Sequence, residues 1–252
     1  MKLFNKAILK NLNGNQVQKA ILLFGPPGAG KGTQSELLAS KFYFYNLDTS
    51  RILEEKFKNA KPGAHIQIDG KQYSVDEEHA KRKKGVLCSV EFTAFLMNKR
   101  IAEIYELGKS LILSGSPRSM AEAEIEMPVL EKLYGKENIH IFFLDLPQDQ
   151  TIFRNSNRRI CELMRHSILY IPENADLKRC PLDGSRLMHR DLDNVSTIKV
   201  RLAEYEETAA PLENYYRKTG YNLKKINANQ YVESVFDDII AALGPCFKVY
   251  EV

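Results

Sequence analysis

Long apolar runs are missing from this chain. No stretch approaches the roughly 20 apolar residues that a membrane-spanning helix needs, so no membrane partnership is expected. The opening segment, "MKLFNKAILKNLNGNQVQKA", carries lysines throughout and lacks an apolar core of signal-peptide length. Cysteine is sparse: Cys88, Cys161, Cys180 and Cys246 form no dense framework. That excludes a disulfide scaffold and fits reduced thiols in a cytoplasmic protein. A strong excess of one charge sign is also absent. A net charge of +4 suits a small polyanion, whereas a nucleic-acid binder concentrates far more positive charge, and no nucleic-acid partner is expected. There is no internal repeat and no low-complexity segment. The sequence is silent on oligomeric state, and a monomer is the working expectation.

What is present is an alternation of apolar runs and helical patterns over 252 residues, enough for one large α/β domain with insertions or two small domains. "AILLF" (20–24), "SLILS" (110–114), "IHIFFLDL" (139–146) and "YNLKKINA" (221–228) read as buried parallel strands. "FYFYNLD" (42–48) is a fifth, aromatic-rich candidate that runs into a helix. Helical spacing marks 91–108, 197–220 with a break or kink at Pro211, and 230–244. The predicted fold is a doubly wound parallel β-sheet of the α/β class. Residues 1–19 look like a polar extension, with a short helix through Leu3, Ile8 and Leu12. Two long stretches, 54–87 and 161–193, break the alternation and read as covers over a cleft. The expected division is therefore an extension over 1–19 and one domain over 20–252. Its core spans 20–48, 88–158 and 194–243, with insertions at about 49–87 and about 159–193.

"GPPGAGKGTQ" (Gly25 to Gln34) joins the first strand to a helix. Its glycines let successive backbone N–H groups turn inward around an anion, the helix start adds its positive dipole end, and Lys31 reaches further phosphate oxygens. The general phosphate loop ends G-K-[ST], and here Gly32 intervenes between Lys31 and Thr33. This G-K-G-T ending resembles that of the adenylate kinase family and related nucleoside monophosphate kinases, whose loop reads G-x-P-G-x-G-K-G-T. Gly25, Pro27, Gly28, Gly30, Lys31, Gly32 and Thr33 match, with Ala29 inside the loop. Further segments agree in order. "GSPR" (115–118) resembles the family's G-F-P-R, keeping Gly115, Pro117 and Arg118 without the aromatic. "LDLPQDQTIFRNSNRR" supplies Arg154, Arg158 and Arg159, "RDLDNVSTIKVR" supplies Arg190 and Arg201, and "TAAPLENYY" follows. The resemblance spans roughly residues 20 to 243.

The resemblance implies transfer of the γ-phosphoryl of ATP to a nucleoside monophosphate, with magnesium on the donor phosphates. It makes the two insertions an NMP-binding segment and a LID that close over the substrates and exclude water. It puts Gly25 to Thr33, Arg154 and Arg158 on ATP, with Arg154 over the donor base. Thr49, Arg51, Gly115, Arg118, Glu122, Arg190 and Arg201 fall on the acceptor. Lys31, Arg118, Arg158, Arg190 and Arg201 ring the transferring group, where a planar guanidinium donates to two oxygens at once.

The acceptor side departs from the family pattern. "DTSRILE" (48–54) stands where the family reads S-T-G-D-x-x-R, so Thr49 is kept while Glu54 replaces the arginine. Arg51 is one helical turn earlier and could substitute, or pair with Glu54. Glu122 replaces the family's adenine-reading glutamine, and Ser114 replaces its aspartate. AMP is the leading acceptor; CMP or UMP, a non-nucleotide acceptor, and a binding module with little transfer are the alternatives. In the run "KRKKG" (81–85) a solvated surface is the expectation. The second insertion holds "CELM" and "CPLD", where relatives often carry a four-ligand zinc knot. Cys161, Cys180 and Asp183 leave Met164 in the fourth place, and thioether suits zinc poorly. His166 could serve after a local shift, but no metal site is assigned from the sequence.

Overall fold

The computed structural model describes residues 17–84, 86–189, 193–244 and 247. The chain opens with β1 (Ala20–Phe24), α1 (Lys31–Phe42) and β2 (Tyr45–Asp48). A first insertion follows: α2 (Thr49–Asn59), β3 (His65–Ile68), β4 (Lys71–Ser74) and α3 (Val75–Lys83). The core resumes with α4 (Val90–Glu106), β5 (Leu111–Ser114), α5 (Met120–Tyr134), β6 (Ile139–Asp145) and α6 (Gln148–Asn157). A second insertion holds β7 (Arg159–Cys161), β8 (Ser167–Ile168) and β9 (Leu187–His189). The chain then closes with α7 (Val195–Thr208), α8 (Leu212–Lys218), β10 (Asn222–Asn227) and α9 (Val232–Leu243).

Five strands form one parallel sheet in the order β10-β6-β1-β5-β2. Central β1 shows why both faces are covered. Ala20, Leu22 and Phe24 join one buried cluster with Met97, Ile101 and Met127 of α4 and α5. Ile21 and Leu23 point the other way, to Leu38 of α1 and Ile239 of α9. A strand buried on both faces must be apolar at every position, hence the unbroken runs. The loops after β1 and β5 emerge at the same sheet end, where the order reverses around β1, the place such sheets bind ligands.

One boundary differs from the sequence reading. Phe42 ends α1 rather than opening a strand, and Tyr43 takes φ 56°, so the strand begins only at Tyr45. The Asp48 carboxylate then accepts from the backbone N–H groups of Ser50 (2.6 Å) and Arg51 (3.2 Å), which starts α2 directly. The helical stretch over 197–220 breaks where Pro211 was expected to break or kink it: α7 and α8 part there, since proline has no N–H to continue the ladder.

Both irregular stretches are built. The first packs α2, the β3–β4 hairpin and α3 around Leu53, Ile68, Tyr73, Val75 and Phe92. The second is a three-stranded antiparallel sheet, β8-β7-β9, whose buried cluster is only Cys161, Ile168 and Cys180. The expected helix through Leu3, Ile8 and Leu12 lies outside the described residues, as do Gly85, Arg190 and Cys246.

Candidate active site

The phosphate loop sits between β1 and α1 and is held tightly from both sides. Gly25 has φ 145°, and a Cβ there would meet the Leu144 carbonyl oxygen at 2.4 Å, so a side chain is excluded on two counts. Gly30 caps α1 without a side-chain hydrogen bond, and no acid occupies the first turn. The first N–H groups of the helix therefore keep their positive end for an anion. Lys31 Nζ turns back over the loop and donates to the carbonyls of Gly25 (2.7 Å) and Pro26 (2.9 Å). Desolvation first, then the charges of Arg118, Arg201 and Arg158, push the Lys31 ammonium down to about 7. Burial alone lowers a lysine, and the neighbouring guanidiniums add to it.

Each cation arrives from a different element. Arg118 follows β5, and its Nε donates to the Gly115 carbonyl. Gly115 has φ 89°, and the guanidinium folds over its bare Cα so that a Cβ would meet Nη2 at 3.0 Å. Arg158 caps the C-terminus of α6 and is gripped bidentately by Asp193, at 2.9 Å from Nε and 2.7 Å from Nη2. Arg201, on α7, stands 3.9 Å from the same carboxylate. Asp193 is buried, so it fixes two guanidiniums from one point. A cleft of about 1140 Å³ is lined by Gly25, Lys31, Gly115, Arg118 and Arg201 among others.

The remaining predicted residues divide. Arg154 is half-buried on α6, and its Nη2 donates to the Gln230 carbonyl at 3.3 Å. Thr49 is buried, and its hydroxyl has no hydrogen-bond partner among the described residues. It lines a narrow slot beside the cleft with Thr93, Arg118 and Glu122. Glu122 Oε2 accepts the Arg118 N–H at 2.6 Å, and burial raises its carboxyl above the usual range. Arg51 does not come to this place. It neither reaches the slot nor pairs with Glu54; its exposed guanidinium lies 3.3 Å from Glu36. Pairing with Glu36 of α1 draws the Arg51 side chain over that helix rather than over the cleft.

Sequence reasoning missed three participants. Asp193, inside the quoted "RDLDNVSTIKVR", was readable only as an acid close to arginines. Arg82 lay in a basic run read as surface, yet it lines both slot and cleft. Glu126 is wholly buried beneath the site, where the Ser116 hydroxyl donates to its carboxyl at 2.7 Å. Burial, then the charge of Glu122, push Glu126 up to about 8.

In the second insertion Cys161, His166, Cys180 and Asp183 present ligand atoms all within 4.8 Å of one another. His166 Nδ1 is 3.5 Å from each sulfur and 3.3 Å from Asp183 Oδ2. Metal bonds of about 2.3 Å to sulfur and about 2.0 Å to nitrogen or oxygen give tetrahedron edges of roughly 3.5 and 3.3 Å. The donor set fits zinc. Met164 points away, 62% exposed.

A parallel sheet with a glycine-lined loop, its lysine, and guanidiniums gathered from three further elements defines a P-loop phosphotransferase. The adenylate kinase family model matches residues 23–221. Curated adenylate kinases from Methanothrix thermoacetophila and Carboxydothermus hydrogenoformans are each 30% identical, over 89% and 88% of this chain and 98% of each protein. The adenylate kinase of Clostridium acetobutylicum is 33% identical over 89% of this chain and 98% of its own length. The chain belongs to the adenylate kinase family.

Proposed function

We propose that this protein moves the γ-phosphoryl of magnesium-bound ATP onto AMP, with Lys31, Arg118, Arg158, Arg190 and Arg201 as the charge-bearing groups. The observation that carries the reading is the cleft that Gly25, Lys31, Gly115, Arg118 and Arg201 line together at the glycine loop. These cations, with Arg158 held nearby on Asp193, offer a polyphosphate several donors at once. Phosphoryl transfer asks chiefly for positioning and charge neutralisation, and these residues supply both. ATP phosphates occupy the loop of Gly25, Gly28, Ala29, Gly30, Gly32 and Thr33, with Arg154 against the donor base. The AMP base enters the slot at Thr49 and Glu122, and its phosphate faces Arg118 near Gly115. Thr33 would offer its hydroxyl to a magnesium ion bound with the nucleotide, which would supply charge neutralisation on the donor phosphates. One zinc ion on Cys161, His166, Cys180 and Asp183 braces the LID, and the protein acts as a cytoplasmic monomer.

A coupled assay with ATP and each of AMP, CMP, UMP and GMP tests this. AMP is expected to give the highest kcat/KM, and Lys31→Ala to lower kcat by at least about 10³ while the far-ultraviolet circular dichroism is unchanged. Turnover with none of the four, or an unimpaired Lys31→Ala enzyme, overturns the reading.

A further inference from the structure

The acceptor slot poses a charge problem. Glu54, on α2, lines the cleft near the slot, so an incoming phosphate meets a carboxylate. The opposing helix answers it. Arg82, near the C-terminus of α3, reaches across and its Nη2 donates to Glu54 Oε1 at 3.2 Å. Arg82 and Arg118 are the two cationic residues that line both the narrow slot and the open cleft. Together they flank the passage between the two spaces. The slot is also unfilled by the protein's own hydrogen bonding, since the buried Thr49 hydroxyl is unpartnered among the described residues.

Resting on the reading of the slot as the acceptor site, we propose that Arg82 is a binding residue for the acceptor's phosphate, held in place by Glu54. The positive charge that the sequence resemblance expects on α2 is carried instead by α3, and the two helices are tied by one ion pair. Arg82 keeps three-quarters of its side chain out of solvent (27% exposed), whereas Glu54 is 69% exposed. With its carboxylate partner largely in water, the pair contributes little to the fold, so the arginine can turn a guanidinium edge toward phosphate without loss of structure. The three other members of the run behave differently: Lys81 is spent on Glu78 at 2.6 Å, and Lys83 and Lys84 line only the open cleft. Arg82 alone of the four borders the slot.

The test is titration calorimetry of the full chain with AMP and with adenosine, beside steady-state kinetics. A charge-assisted hydrogen bond to phosphate corresponds to about 10- to 100-fold in affinity. Arg82→Ala is expected to weaken AMP by that factor and to raise KM for AMP similarly. Adenosine binding and KM for ATP should change less than about twofold, and Arg82→Lys should lose less than the alanine variant. An unchanged melting temperature for Arg82→Ala shows that the loss is not one of folding. If AMP binding is unchanged, or if AMP and adenosine weaken equally, the assignment to phosphate is overturned while the acceptor reading stands. Wild-type protein that neither binds nor phosphorylates AMP overturns both.

Discussion

Glu126 shows what a single residue can reveal that its sequence neighbours hide. It sits at 0% exposure under the site loop, one helical turn from Glu122, and takes a hydrogen bond from Ser116. Two buried carboxyls that close cannot both ionise cheaply. Burial and the Glu122 charge raise Glu126 to about 8, so near neutrality it keeps its proton. Because the folded value stands above the unfolded one, near 4.5, the acid form stabilises the fold fully below about pH 4.5, and that benefit is lost as pH rises through about 8. Urea unfolding from pH 5 to pH 7 should therefore show stability falling with pH, and above about 7 the depressed Lys31 opposes that trend. Glu126→Gln should remove that component and exceed the wild type at pH 9, by on the order of a few kcal/mol. A wild type and variant with parallel pH profiles would contradict the assignment. Neither Ser116 nor Glu126 is conspicuous in the sequence, because their significance is mutual and arises only when the β5–α5 loop brings them together.

At the scale of elements, legibility followed burial. The runs that became β1, β5 and β6 were readable because a strand covered on both faces leaves no room for polar punctuation, whereas β10, expected to be buried, is an edge strand with mostly exposed residues. Helix α4 was readable from its spacing, and Pro211 marked its own break. The phosphate loop, Arg118, Arg158 and Arg201 were picked out through the family resemblance, and in the structure all three arginines lie close enough to Lys31 to depress it. The two insertions were not legible, since a hairpin and a three-stranded sheet this small bury few side chains and so impose little periodicity. Arg82 was lost for the same reason: within "KRKKG" nothing local separates a cleft-facing guanidinium from its solvated neighbours. The LID element carries its own prediction. A buried cluster of Cys161, Ile168 and Cys180 is too little apolar surface to hold a sheet alone, and small units of this kind rely on a metal. Purified protein is expected to contain about one zinc per chain, and chelation should open residues 162–186 to limited proteolysis. His166→Ala should abolish zinc retention and Met164→Ala should not. Equal zinc content in both variants would exclude the His166 ligand set.

For the whole molecule, the modest net charge of +4 conceals an uneven distribution. Lys31, Arg82, Arg118 and Arg201 border one concavity, which low-dielectric walls turn into a focused field. Raising ionic strength from roughly 0.01 M to 0.15 M shortens the screening length from about 30 to about 8 Å. KM for both nucleotides should rise severalfold over that interval, with kcat nearly constant because the bound phosphates displace the screening ions. A KM indifferent to salt would mean that the cations act only at contact.

Lys31 donates to the carbonyls of Gly25 and Pro26, so the loop's own backbone sets where its ammonium rests. An anion that draws the amine away gives up two hydrogen bonds of about 1 kcal/mol each. A triphosphate, meeting several donors at once, offsets that cost more readily than a single small anion does.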